Sequence, residues 1–236
     1  MIELSQISVS YGNIRALEDI TLSARPGEIT AVLGANGAGK SSLLKTIAGL
    51  VPATAGSIRV GGQAVEQLPA HQRARRGLSL AMEGRRLFRS MSVEENLSIA
   101  WSFGPRSTPF AQAVEQVYDN FPILKERRHG KAGMLSGGQQ QMLILSSVTI
   151  REPQYMLLDE PSLGLAPIIV AQIFEFITDY TRRRNTTVIV AEQMAAMALK
   201  VAQHGYVLRH GRVVMQGTSD ELTRADIVSQ LSAAYL

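Results

Sequence analysis

Apolar and polar residues alternate at the start of the chain. In MIELSQISVSYG the apolar positions fall on one face of an extended segment, which predicts a strand rather than the continuous apolar run of a leader peptide. Two further strands are expected in ALEDITLSA and EITAVLG, with breaks at Tyr11-Gly12-Asn13 and Pro26-Gly27. A helix should run from Ser41 to about Gly49, where the glycine supplies a stop. The stretch from about Ser92 to Ile150 changes to helical spacing, in SVEENLSIA, FAQAVEQVYDNF and a long segment from Ser136. Next come an apolar strand, YMLLD, a helix over 167–184 and a strand, TTVIVA. A helix over 195–202, a hairpin in GYVLRHGRVVMQG and a short helical tail complete the pattern. Strands that alternate with helices predict an α/β fold around a mostly parallel sheet. The strand-rich start and the helical middle read as attachments to it.

Composition narrows the picture modestly. The 236 residues are 45% apolar and 19% charged, an ordinary balance for a chain that buries its own core. With no cysteine, disulfides and thiolate metal sites are excluded. The longest apolar runs, such as 142–145, fall far short of the ~20 residues of a membrane span, so any spanning helices must come from other chains. A net charge of +4 suits an anionic partner, but the basic residues sit in short clusters without interleaved aromatics. They read as solvated faces, and no nucleic-acid partner is expected.

Two short segments carry candidate chemistry. The run from Gly34 through Asn36, Gly37, Ala38 and Gly39 to Lys40 and Ser41 follows the pattern G-x-x-x-x-G-K-S/T, between an apolar strand and a helix. Its glycines let successive N–H groups turn toward a phosphate, and the helix opening with Ser41 and Ser42 adds its positive end. Lys40 would reach the β- and γ-phosphates of a nucleotide, and the Ser41 hydroxyl would bind Mg²⁺. The second segment is the apolar strand ending in Asp159-Glu160. Adjacent acids at a strand end point different ways. Asp159 would serve the metal, and Glu160 would hold or deprotonate an attacking water.

Leu135-Ser136-Gly137-Gly138-Gln139, placed shortly before Asp159 and Pro161-Ser162-Leu163-Gly164-Leu165, resembles the signature of the ATPase subunits of ABC transporters. The resemblance spans about residues 11–217. It implies one ABC ATPase domain over 1–236: a P-loop NTPase core, an N-terminal antiparallel β subdomain and a helical signature subdomain over about 85–150. It also implies ATP and Mg²⁺ as ligands, Tyr11 stacked on adenine, and the signature covering the γ-phosphate held by a second subunit. Residues 162–165 correspond to the loop through which partner subunits sense each other. Independently, Ser136 and the glycines stand at a helix start, another anion-binding end.

Three positions depart from the family pattern. Glu83 stands where most members have a glutamine that senses the γ-phosphate and contacts membrane partners. Its carboxylate could still serve Mg²⁺ or water, with Arg85 or Arg86 offsetting its charge. Gln193 replaces a switch histidine; it can hydrogen-bond a phosphate but carries no charge, which predicts slower hydrolysis or a heavier dependence on Glu160. Ser147 stands where arginine is frequent. None of His71, His129, His204 and His210 falls at the switch position, and all four read as structural or surface residues. The Glu83–Gln193 pair, with MSVEENL, PSLGLAP and HGYVL, is similar to one branch: the second ATPase of branched-chain amino acid importers. The expected partners are transmembrane permease subunits, a second ATPase or a second copy, and indirectly a periplasmic solute-binding protein. The expected location is peripheral, on the cytoplasmic face of the inner membrane. Open alternatives are an ATP-binding subunit with little turnover acting in assembly, an exporter subunit, and a soluble ABC ATPase acting on nucleic acid.

Overall fold

The computed structural model describes residues 1–84 and 86–225, so Arg85 and the end of the expected helical tail lie outside the described residues. The chain begins with β1 (Ile2–Tyr11), β2 (Ile14–Ala24) and β3 (Ile29–Leu33), followed by α1 (Lys40–Ile47). Then come β4 (Ala55–Val60), β5 (Gln63–Ala64), α2 (Ala70–Arg75) and β6 (Leu78–Ala81). The middle holds α3 (Val93–Ser102), α4 (Phe110–Asn120), α5 (Pro122–Glu126), a 3₁₀ turn over Ala132–Met134 and α6 (Gly137–Thr149). The remainder is β7 (Tyr155–Asp159), α7 (Pro167–Arg184), β8 (Thr187–Glu192), α8 (Ala195–Val201), β9 (His204–Arg209), β10 (Arg212–Thr218) and α9 (Ser219–Arg224).

Six strands form the central sheet in the order β10-β9-β3-β8-β7-β6, and all its pairings are parallel except that of β9 with β10. A second, antiparallel sheet runs β2-β1-β4-β5. Side chains on the central strands point alternately into two cores. Ala31, Leu33, Met156, Leu158, Val188 and Val190 pack with the helices α3–α8. Val32, Leu157, Ile189 and Ala191 pack with α1 and the antiparallel sheet. Burial on both faces explains why these strands read as unbroken apolar runs.

The expected α/β architecture with a mostly parallel sheet is what forms, and α1 begins one residue earlier than read and ends two before Gly49. Helix α7 has the expected bounds, with Pro167 at its first position and Asn185 closing it in the left-handed region. Elements β4, β5, α2 and β6 are additions to the sequence reading. They span six residues or fewer, too short for either periodicity to register. Helices α3 and α6 both start at a capping box, Ser92 with Glu95 and Ser136 with Gln139.

Candidate nucleotide-binding site

The C-terminal ends of β3 and β7 lie two strands apart in the parallel sheet, with β8 between them. The loop after β3 leads into α1. Its first turn (Lys40, Ser41, Ser42) leaves N–H groups without intrahelical acceptors, the usual anion-binding arrangement. Gly39, at φ 107°, makes that turn, and a Cβ there would stand 2.8 Å from Leu17 Cδ2 and 2.9 Å from the Ala16 carbonyl. Gly37 also has a positive φ, yet a Cβ there would meet nothing within 4 Å, so the loop presents an open concave face.

Lys40 is buried, and its ammonium has three partners. It donates to the Gly34 carbonyl at 2.8 Å and the Ala35 carbonyl at 3.1 Å, and it pairs with Glu160 Oε1 at 3.0 Å. All three donors of the ammonium are thereby engaged. Beside it the Ser41 hydroxyl donates to Asp159 Oδ1 at 3.0 Å. Burial pushes the Asp159 carboxyl above its ordinary range; the nearby Glu160 and Glu83 carboxylates add to the shift, and the Ser41 bond opposes it. Glu160 occupies the left-handed region at φ 48°, with its N–H bonded to the Ala191 carbonyl at 2.9 Å. A non-glycine residue held there costs on the order of 1 kcal/mol and persists because its surroundings fix it.

A cleft of about 580 Å³ opens over this group. Tyr11, Asn36, Gly37, Gly39, Lys40, Ser41, Ser42, Glu83 and Glu160 all line it, so residues from four separate parts of the chain converge. Tyr11 is 45% exposed, and its hydroxyl donates to Ser42 Oγ at 3.3 Å. Gly34 and Ala38 belong to the loop's frame: the Gly34 N–H bonds the Glu192 carbonyl, and the Ala38 carbonyl accepts from the Gly211 N–H. Arg15, Leu163 and His210 also line the cleft. Leu163 belongs to the 162–165 loop, whereas no local pattern marks Arg15 or His210; His210 reaches the wall because the turn between β9 and β10 places it there.

Ser136 and Gln139 line a different cleft, between α4–α5 and α7, and Gly137 and Gly138 share their helix start. The signature therefore does not contribute to the wall around Lys40. Gln193 follows β8 and is likewise absent from that wall, although both residues flanking it bond Ser162.

A divalent metal fits the donors that do converge. Ser41 Oγ, Asp159 and Glu83 supply hard oxygens suited to Mg²⁺. Among the described residues no group of three or more His, Cys, Asp or Glu could hold a metal.

A family model described as ABC transporter matches residues 17–163, more than half of the chain. The chain belongs to the ABC transporter family. Among its relatives is BraG of Pseudomonas aeruginosa, a high-affinity branched-chain amino acid transport ATP-binding protein, 45% identical over 94% of both chains. LivF of Archaeoglobus fulgidus, a probable branched-chain amino acid transport ATP-binding protein, is 33% identical over 94% of both. A solved ATP-binding subunit of an ABC transporter superposes with a TM-score of 0.85 at 25% identity, covering 99% of this chain and 98% of that one. This ABC transporter subunit has, among its described residues, no helix long and apolar enough to cross a membrane.

Proposed function

We propose that this chain is the ATP-hydrolysing subunit of an importer for branched-chain amino acids or related small solutes. It would act on the cytoplasmic face of the inner membrane, with permease subunits supplying the transport path. The observation that carries the reading is the convergence of Lys40, Ser41, Asp159 and Glu160 within hydrogen-bonding distance at one end of the sheet. The similarity to BraG supports the choice of solute class.

The ammonium of Lys40 has no spare donor, so phosphate oxygens must displace at least one of its present partners. Displacing Glu160 frees a carboxylate to accept a proton from the attacking water, the role assigned to it here. Ser41 and Asp159, with Glu83 from the cleft wall, would hold Mg²⁺, which when bound offsets negative charge on the phosphates. Tyr11 would supply a flat face for adenine, and the free N–H groups of the loop that Gly34 and Ala38 frame, with those of Ser41 and Ser42, would cradle the phosphates. Because Ser136, Gly137, Gly138 and Gln139 stand outside the cleft, they would act on nucleotide held by a partner ATPase, either another subunit or a second copy. Gln193 would reach the γ-phosphate as a neutral hydrogen-bonding group.

The test is Mg²⁺-ATP hydrolysis by the purified chain, alone and with its permease subunits, beside Glu160→Gln. Turnover that rises with the permease and disappears in the variant supports a transport motor. Tight ATP binding without turnover in any mixture would replace it with an assembly subunit.

A further inference from the structure

Glu192 ends β8 and is only 1% exposed, yet among the described residues no cation lies within ion-pair distance of it. Burying a carboxylate without a counter-ion is costly, and a neutral acceptor would satisfy one N–H more cheaply. The surroundings show what the charge is set against. Glu192 Oε1 accepts the Ser162 N–H at 3.0 Å. On the far side of Gln193, Met194 Sδ accepts from the Ser162 hydroxyl at 3.8 Å. Gln193 is thus bracketed, with the residue on each side fastened to Ser162. The backbone of the same strand end continues the connection. The Glu192 carbonyl accepts from Gly34 N–H at 3.3 Å, and the Ala191 carbonyl accepts from Glu160 N–H at 2.9 Å. One strand end therefore touches the phosphate loop, the Glu160 backbone and the 162–165 loop.

We infer that Glu192 is a positioning residue, whose charge-assisted bond to Ser162 makes Gln193 and the 162–165 loop move as one unit. This rests on the ATPase reading above. A charged acceptor makes the stronger bond, roughly twice a neutral one. A residue that only satisfied a buried N–H would leave Gln193 indifferent to its loss.

The experiment uses the chain with its permease subunits for kinetics, and the chain alone for hydrogen exchange. Glu192→Ala and Glu192→Gln are made in the native sequence and again in a Gln193→Ala background. Glu192→Ala is expected to lower kcat about tenfold, short of the ~100-fold that a full 1 Å misplacement can cause. KM for Mg²⁺-ATP should change less than about twofold, as a fault in positioning rather than binding predicts. Glu192→Gln, which keeps an acceptor oxygen but not the charge, should recover only part of the rate. In the Gln193→Ala background the same alanine change should cost less than about twofold, because the residue it positions is gone. Amide exchange should accelerate together in segments 160–165 and 192–196 for Glu192→Ala, and together but by a smaller margin for Glu192→Gln. Glu192→Asp, which withdraws the carboxylate by one methylene, gives the same readouts if the alanine variant does not fold. Equal kcat losses in both backgrounds, or faster exchange confined to 160–165, would overturn the inference. If the unmodified complex shows no turnover, the ATPase reading fails separately and the exchange pattern alone decides the coupling of the two segments.

Discussion

Removing the Lys40 side chain tests the electrostatics of the site before any ligand is added. Its ammonium and the Glu160 carboxylate lie 3.0 Å apart, with side chains 4% and 7% exposed. At an effective dielectric of about 20, that separation corresponds to roughly 5 kcal/mol of attraction. The desolvation of two buried ions is of similar size, so the intact pair contributes little net stability. Lys40→Met breaks this balance by leaving a buried carboxylate unpaired. The expected cost is about 3–5 kcal/mol at pH 8, a fall in Tm of roughly 10 °C for a chain of this length. Glu160→Gln should cost less, because the ammonium keeps the Gly34 and Ala35 carbonyls. Lys40→Met with Glu160→Gln should be more stable than the two single losses add up to, by at least about 2 kcal/mol. Urea unfolding of the nucleotide-free protein, followed by circular dichroism, measures all four corners of the cycle. A Lys40→Met variant within about 1 kcal/mol of wild type, or strictly additive losses, would refute the buried pair.

Three further changes probe other parts of the molecule. Tyr11→Ala should weaken nucleotide binding by about 1–3 kcal/mol, and equally for ATP and GTP, because a stacked ring reads no base edge; calorimetry distinguishes this from a packing role. Ser136→Ala removes the N-cap of α6 and should cost about 1 kcal/mol of stability, with ATP binding by the isolated chain unchanged and turnover of the assembled complex reduced. Burial, joined by the Glu160 carboxylate, raises the Glu192 carboxyl above its ordinary range despite the bonds from Ser162. The folded state then holds that proton more tightly than the unfolded chain, so its contribution to stability is lost as pH rises through the window between the two values. Glu192→Gln should be more stable than wild type at pH 8, with the advantage shrinking as pH falls into the carboxylate range. Thermal unfolding across pH gives the sign directly, and an advantage that grows at low pH would be the wrong one.

Consecutive residues carried most of what could be read early. The phosphate loop, the signature and the acidic strand end are each contiguous, and a contiguous motif needs only its own spacing to be seen. Helix α7 was legible because proline opens it and its length exceeds four turns. Strand β6 and helix α2 were not, since four and six residues give neither period room to repeat. The bond from Lys40 to Glu160 was hidden for another reason. It joins positions 120 apart in the chain, and no local pattern ranks Glu160 above other acids as the partner of that ammonium.

By itself, then, the sequence determined the chain's family, the α/β order of elements, the phosphate loop and the acids that accompany it. These depend on local spacing and on side-chain chemistry that the order of residues already contains. Tertiary structure alone decided that the Lys40 ammonium is saturated by two carbonyls and a carboxylate, and that His210 reaches the cleft wall. It also decided that Glu192 brackets Gln193 through Ser162. Each of these joins residues brought together by the parallel sheet, whose strand order β3-β8-β7 departs from their order in the chain. Non-sequential neighbours are set by packing on both faces of that sheet, a property of the whole fold that no segment of it encodes.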